Sequence, residues 1–286
     1  MPNIKLLRRR IRSIQGTAKI TRAMEMIATA KLRRTQHQAL AGRPYAEKIR
    51  QVIGDLAMEP IFKGGIPSLL QNREVKKIYI VHMTTDRGLC GGLNANLNRA
   101  VAKFVLEQKV PVHLIVVGRK GRSFARNSGL NLYAEFTGIS DRATLKETLP
   151  ISRLLIEDYN KAAVDVVYLS YPRFVTTMVQ KPTMEVLLPI EPAKVPRGQI
   201  GEYIYEPNAP AVLNELLPRS VEMQVYHAIL ELIASEQSAR MVAMRNASEA
   251  AEDMIKSLTL TLNKARQESI TKEISEITGG AEFFKA

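Results

Sequence analysis

The chain is 286 residues long with a formal net charge of +13, and its hydrophobic (45%) and charged (24%) fractions are those of an ordinary folded protein. No apolar run reaches the roughly 18–20 residues that a membrane-spanning helix needs, and no apolar N-terminal stretch with a small-residue cleavage site marks a secretory signal. A single cysteine, Cys90, excludes an intrachain disulfide framework and fits a reducing compartment.

Residues 3–57 read as one helix, capped by Asn3. Ile4, Leu7, Ile11, Ile14, Ala18 and Thr21 recur at the alternating three-and-four spacing of a coiled-coil seam. Beyond them the apolar positions suggest that the seam moves to Ile20, Met24 and Ile27 and then thins into Ala28 and Ala30. Gly42 and Pro44 predict a kink or a weak turn. The same helix carries Lys5, Arg8, Arg9, Arg10, Arg12, Lys19, Arg22, Lys31, Arg33 and Arg34, with Glu25 the lone acid before Glu47. Such a face attracts an anionic partner: nucleic acid, a membrane surface or an acidic protein. Against nucleic acid, no aromatic precedes Tyr45 and no recognition motif is present.

After loop signals at 59–67, strands are expected at 78–83, 112–117 and 164–171, with helices after the first two and over 142–163. Alternation of this kind predicts a Rossmann-like α/β domain built on a largely parallel sheet. Further strands are expected at 175–179 and 184–188, and 193–206 is punctuated by Gly and Pro. A second long helix covers 208–277, with Pro218 kinking it or beginning a fresh segment and Gly279-Gly280 as its stop. Its apolar stripe (Val221, Val225, Ile229, Leu232, then Ile255, Leu258, Leu262, Ala265) steps by one residue to Ile270, Ile274 and Ile277. At 1.5 Å per residue the two helices would measure roughly 80 and 100 Å, lengths typical of coiled coils. The expected organisation is a coiled-coil helix at 1–58, a globular α/β domain at 75–207 and a second coiled-coil helix at 208–286, the terminal helices lying antiparallel.

Candidate chemistry is sparse. Gly88, Gly91 and Gly92 follow a strand and open a helix, yet they do not make G-x-G-x-x-G, and no P-loop pattern occurs. These glycines are read as permitting a tight turn and close helix–sheet packing. His37, His82, His113 and His227 have no metal-ligand spacing, Cys90 has no nucleophile signature, and Asp86-Arg87 suggests a local salt bridge or turn contact. No catalytic constellation, cofactor site or metal site is expected.

Four segments resemble the gamma subunit family of F-type ATP synthases: ITRAMEMIATAK at 20–31, TDRGLCGGLN at 85–94, SEQSARMVAMRNA at 235–247 and NKARQESITKEI at 263–274. The resemblance implies a noncatalytic rotor, its coiled coil inside a ring of alternating alpha and beta subunits. Its globular part would bind the epsilon subunit and rest on the membrane-embedded c-ring. By that resemblance Met24, Arg266, Gln267 and Thr271 contact beta, and Ile270, Ile274 and Ile277 form an apolar bearing at the tip with Gly279 and Gly280. Arg22, Arg33 and Arg34 would attract an acidic loop of beta, and Tyr203, Tyr205 and Glu206 would meet epsilon and the c-ring. The implied location is the cytoplasmic face of the cell membrane, reached indirectly through the c-ring. The chain lacks the cysteine-bearing insertion of chloroplast homologues. Its start at the family's helix and its end shortly after Gly280 fit a bacterial type.

Overall fold

A computed structural model describes residues 3–58, 67–191 and 205–283. The chain forms two compact units: Met1–Ala28 with Arg240–Ala286, and Thr29–Ala239. Two long helices, α1 (Ile4–Met58) and α5 (Ala209–Phe283), contribute residues to both.

In the first unit, Asn3 caps α1, its Oδ1 accepting the Lys5 N–H at 3.0 Å. The shielded positions of α1 are Ile4, Leu7, Ile11, Ile14, Ala18, Thr21, Glu25 and Ala28. On α5 they are Met241, Met244, Ser248, Ala251, Ile255, Leu258, Leu262, Ala265 and Ser269. Both sets alternate steps of three and four, the signature of a coiled-coil seam. The helices run antiparallel: Thr21 and Ser248 share a 2.7 Å hydroxyl contact, while further along α1 Glu25 accepts the Arg245 Nε–H at 2.9 Å, earlier on α5.

The expected shift of the seam to Ile20, Met24 and Ile27 does not occur. These side chains are 59%, 36% and 56% exposed, whereas Thr21 and Ala28 are buried. The seam keeps its heptad phase through small and polar residues because a hydroxyl pair and an ion pair hold it there. Apolar spacing alone follows the wrong stripe.

The second unit contains β1 (Ile78–Met83), α2 (Leu93–Glu107), β2 (Val112–Val117), α3 (Arg119–Asn127), β3 (Leu132–Phe136), α4 (Leu145–Asn160), β4 (Val166–Phe174) and β5 (Gln180–Leu188). The sheet order is β3-β2-β1-β4-β5; the first four strands are parallel and β5 is antiparallel to β4. Central β1 is buried along its whole length, which suits its unbroken apolar run. Tyr79, Val81 and Met83 join a core with Ile151 and Leu155 of α4 and with the parts of α1 and α5 in this unit. Ile78 and Ile80 join the opposite core, with Val101 of α2 and Ala125 of α3. This is the Rossmann-like arrangement that the alternation implies.

Several expected boundaries move. The helix expected at 142–163 starts at Leu145, where Thr144 and Glu147 form a capping box, and ends at Asn160. Strand β3 has no counterpart among the expected strands; its half-buried, alternating pattern carries a weaker signal than the continuous runs of β1 and β2. Residues 175–179 are not a strand. They turn the β4–β5 hairpin, with the Val179 N–H donating to both the Thr176 carbonyl and Oγ1 at 3.1 Å, and β5 begins at Gln180.

Both long helices continue through Pro44 and Pro218. Around Pro218, buried Leu213, Leu217 and Val221 hold α5 against the core and offset the lost backbone bond. Nor does Gly279-Gly280 stop α5, which runs to Phe283. Two helical glycines cost only about 2 kcal/mol against alanine, so glycine disfavours a helix without forbidding it.

Candidate functional site

The turn after β1 is a closed hydrogen-bond network. Asn94 Oδ1 accepts the Thr85 N–H at 3.2 Å, and its amide donates to Thr85 Oγ1 at 2.8 Å and to Cys90 Sγ at 3.3 Å. Gly91 takes φ +57°, so the tight turn expected of this glycine run is present. The close packing lies elsewhere. A Cβ on Gly118 (φ +93°) would come within 2.2 Å of the Thr84 carbonyl oxygen, and one on Gly121 within 2.8 Å of Thr84 Oγ1 and Val116 Cγ1. The sequence signal for this was Gly118-x-x-Gly121 directly after a strong strand, a shorter pattern than the glycine run it followed.

The N-terminus of α3, after β2, presents backbone N–H groups of the kind that attract an anion. Here the protein's own groups occupy it. Asp86 Oδ1 accepts the Arg119 N–H at 2.9 Å, the Thr85 carbonyl accepts the Lys120 N–H at 3.1 Å, and Thr84 Oγ1 accepts the Gly121 N–H at 2.7 Å. Asp86 Oδ2 also accepts the Gly138 N–H at 2.9 Å. Asp86 is thus an internal anion tying the turns after β1, β2 and β3 together. Its partners are backbone amides, not Arg87.

The histidines are scattered as their spacing implies. His82 is fully buried; its Nε2 lies 2.9 Å from Asn98 Oδ1 and its ring meets the Phe124 edge. Burial pushes its pKa down to about 4, partly opposed by the Asn98 contact. His113 sits between Tyr79 and Tyr133, and burial, with the Lys77 charge, lowers its pKa as well. Tyr171, whose hydroxyl donates to Glu185 Oε2 at 2.9 Å, has its pKa raised by burial and by that carboxylate. Among the described residues, no three His, Cys, Asp or Glu side chains are grouped to hold a metal ion. No described helix is long and apolar enough to cross a membrane.

The expected contact residues fall in three places. Met24 is on α1 in the first unit, off the seam, together with exposed Ile20 and Ile27. Arg266, Gln267, Ile270, Thr271, Ile274 and Ile277 lie on α5; at about 100° per residue they share one arc of about 140°, turned away from the seam at Ala265 and Ser269. The three isoleucines are 51%, 58% and 73% exposed. Arg266, Gln267 and Thr271 are exposed too, with the Thr271 hydroxyl donating to the Gln267 carbonyl at 2.9 Å. Side chains at Gly279 and Gly280 are outside the description.

In the second unit, Tyr205 packs half-buried against the main core and Glu206 is exposed, whereas Tyr203 lies outside the described residues. Arg33 and Arg34 are exposed. Arg22, also exposed, has its guanidinium 3.7 Å from Glu252. The structure groups the α5 tip residues on one surface and leaves Met24 with its own stripe on α1.

A family model described as ATP synthase matches residues 3–283. An ATP synthase gamma chain from Dehalococcoides mccartyi is 56% identical over 281 residues, covering 98% of this chain and 99% of that one. One from Pelotomaculum thermopropionicum is 45% identical over 283 residues, with the same coverage. Among solved structures, a chain of the Tetrahymena thermophila mitochondrial ATP synthase central stalk and c-ring matches with a TM-score of 0.62 at 26% identity, over 80% of this chain and 99% of that chain. A chain of the Euglena gracilis mitochondrial enzyme shares the fold with a TM-score of 0.68 at 19% identity, over 96% of this chain and 92% of that chain. With a whole-length family match, near-complete coverage and identity above half, the chain belongs to the ATP synthase gamma-chain family.

Proposed function

We propose that this chain is the central-stalk rotor subunit of an F-type ATP synthase, transmitting torque between a membrane c-ring and a ring of catalytic alpha and beta subunits. It performs no catalysis itself; its asymmetry sets the catalytic sites into different conformations as it turns. The observation that carries this reading is the apolar stripe Ile270, Ile274 and Ile277 on α5, exposed and lying just past Ser269, the last shielded position of the seam. A coiled coil gains nothing from apolar residues outside its seam, so such a stripe implies an outer partner. An apolar collar suits it, because hydrophobic contact is non-directional and does not trap one rotational angle.

Arg266, Gln267 and Thr271 flank the stripe and are assigned directional contacts with beta; Met24 is assigned a beta contact on α1. Tyr205 and Glu206, with Tyr203, are assigned to epsilon and the c-ring. The membrane is met only through the c-ring, on the cytoplasmic face, and coupling is to ion flow. No cofactor or metal is required.

Reconstitution with alpha and beta subunits tests the proposal. Entry of a single copy into each ring, with ATP hydrolysis that depends on it, supports the rotor. Arg266→Ala with Gln267→Ala should lower the torque developed during hydrolysis. Failure to assemble, together with salt-sensitive DNA binding by the exposed Arg8, Arg9 and Arg10 face, would overturn it.

A further inference from the structure

The carboxyl ends of β1, β2 and β3 open into a crevice of about 850 Å³ within the second unit, closed on one side by α1 and α5. Its size is that of a small-molecule pocket, and its charges are unbalanced. The acids are already engaged: Asp86 by two backbone amides, Asp141 by Lys31, and Glu236 by a partner of its own. Arg34, Arg87, Arg119 and Arg142 also line the crevice, and none of these four guanidinium groups has an ion-pair partner among the described residues. The opposite wall is apolar, formed by Ile229, Leu232 and Ile233 of α5 with Ile139.

We propose that this crevice binds a phosphorylated small molecule of nucleotide size, its phosphates on the four arginines and its organic body along the α5 wall. The α3 amides are not available, so recognition runs through guanidinium groups, which match phosphate oxygens in bidentate pairs. This differs from the dinucleotide mode, in which the helix N-terminus holds the pyrophosphate. The inference does not depend on the rotor reading.

The test is calorimetric titration of the full free chain with Mg-free ADP at about 0.15 M salt, with tripolyphosphate and inorganic phosphate as separate arms. Saturable ADP binding with Kd below about 1 mM is expected, tighter than either inorganic arm. Arg119→Ser with Arg142→Ser should weaken it by about a hundredfold, since each of the two charged hydrogen bonds lost is worth about tenfold. Arg99→Ser removes an equally exposed charge on α2 and should leave binding unchanged. Unaltered circular-dichroism melting of the double variant excludes misfolding. Tripolyphosphate binding as tightly as ADP would remove the organic subsite and overturn the nucleotide-sized ligand. Absence of ADP binding, or equal loss in the Arg99 variant, would overturn the site. So would a double variant that binds ADP normally but fails to assemble with alpha and beta, which would make the arginines a protein contact.

Discussion

Replacing Ile270, Ile274 and Ile277 together with alanine separates a partner-facing stripe from a folding one. In the free chain each side chain is already half to three-quarters exposed, and none lies on the seam. Their truncation therefore removes little internal packing, and alanine is the better helix former by a few tenths of a kcal/mol per site. The free chain should change in stability by less than about 1 kcal/mol. Leu7→Ala is the contrast: Leu7 is 7% exposed in the seam, and its truncation should cost about 2–3 kcal/mol. In the complex the account reverses. Each Ile→Ala change removes three carbons, worth about 0.8 kcal/mol apiece when buried. If the collar covers the half to three-quarters now exposed, the three substitutions together cost about 4 kcal/mol, close to a thousandfold in affinity. Urea titration of the free chain and fluorescence-monitored dissociation from alpha–beta rings measure the two quantities. A triple variant as destabilised as Leu7→Ala, or one holding the ring at wild-type affinity, would refute the reasoning.

Gly118→Ala should destabilise the α/β unit by several kcal/mol, because φ is +93° and the new methyl would meet the Thr84 carbonyl at 2.2 Å; a melting temperature within 2 °C or so of wild type would count against it. Asp86→Ala releases two charge-assisted amide bonds and should cost about 2–4 kcal/mol, read as a lower urea midpoint. His82 should make folding pH-dependent: its folded pKa, about 4, lies below the unfolded value near 6.5, so between them the unfolded chain binds the extra proton. Stability is then full above pH 6.5 and falls by about 3 kcal/mol as pH drops to 4, a slope that His82→Phe should flatten; an identical slope in the variant would exclude His82 as its source.

How much of this was legible depended on how far local pattern and tertiary packing agreed. Strands β1 and β2 are continuous apolar runs buried on both faces, so their bounds follow from composition. Strand β3 sits at the sheet edge, and its mixed pattern is set by pairing with β2. The seam of α1 was readable while Ile4, Leu7, Ile11 and Ile14 supplied it. It stayed readable through Ala18 and Thr21 and was lost at Glu25, whose place in the seam depends on Arg245, more than two hundred residues away in sequence. The α5 tip was legible for the opposite reason: its one-residue phase step is visible in the spacing itself. The arginine crevice was not, since Arg34, Arg87, Arg119 and Arg142 come from four separate segments that only the sheet topology brings together.

The outer stripe of α1 and the tip stripe of α5 are both exposed apolar lines. Ile20, Met24 and Ile27 stand one residue off the α1 seam, whereas Ile270, Ile274 and Ile277 follow Ser269, the last shielded α5 position, in a stretch exposed through Thr278. Each helix thus carries two apolar lines, one shielded by its partner helix and one open to solvent. The shielded line contains the directional bonds, Thr21 with Ser248 and Glu25 with Arg245, which fix register between two helices that must not slip. The open line is largely aliphatic, and aliphatic contact has no preferred angle. A helix pair that had only to be stable would place its isoleucines in the seam and its threonines outside. Here Ile4, Leu7, Ile11, Ile14, Ile255, Leu258 and Leu262 fill most of the seam, but Thr21, Glu25 and Ser248 interrupt it while Ile20, Met24 and Ile27 face outward, a local exchange that costs internal stability. That cost is offset where the outward apolar side chains meet another protein.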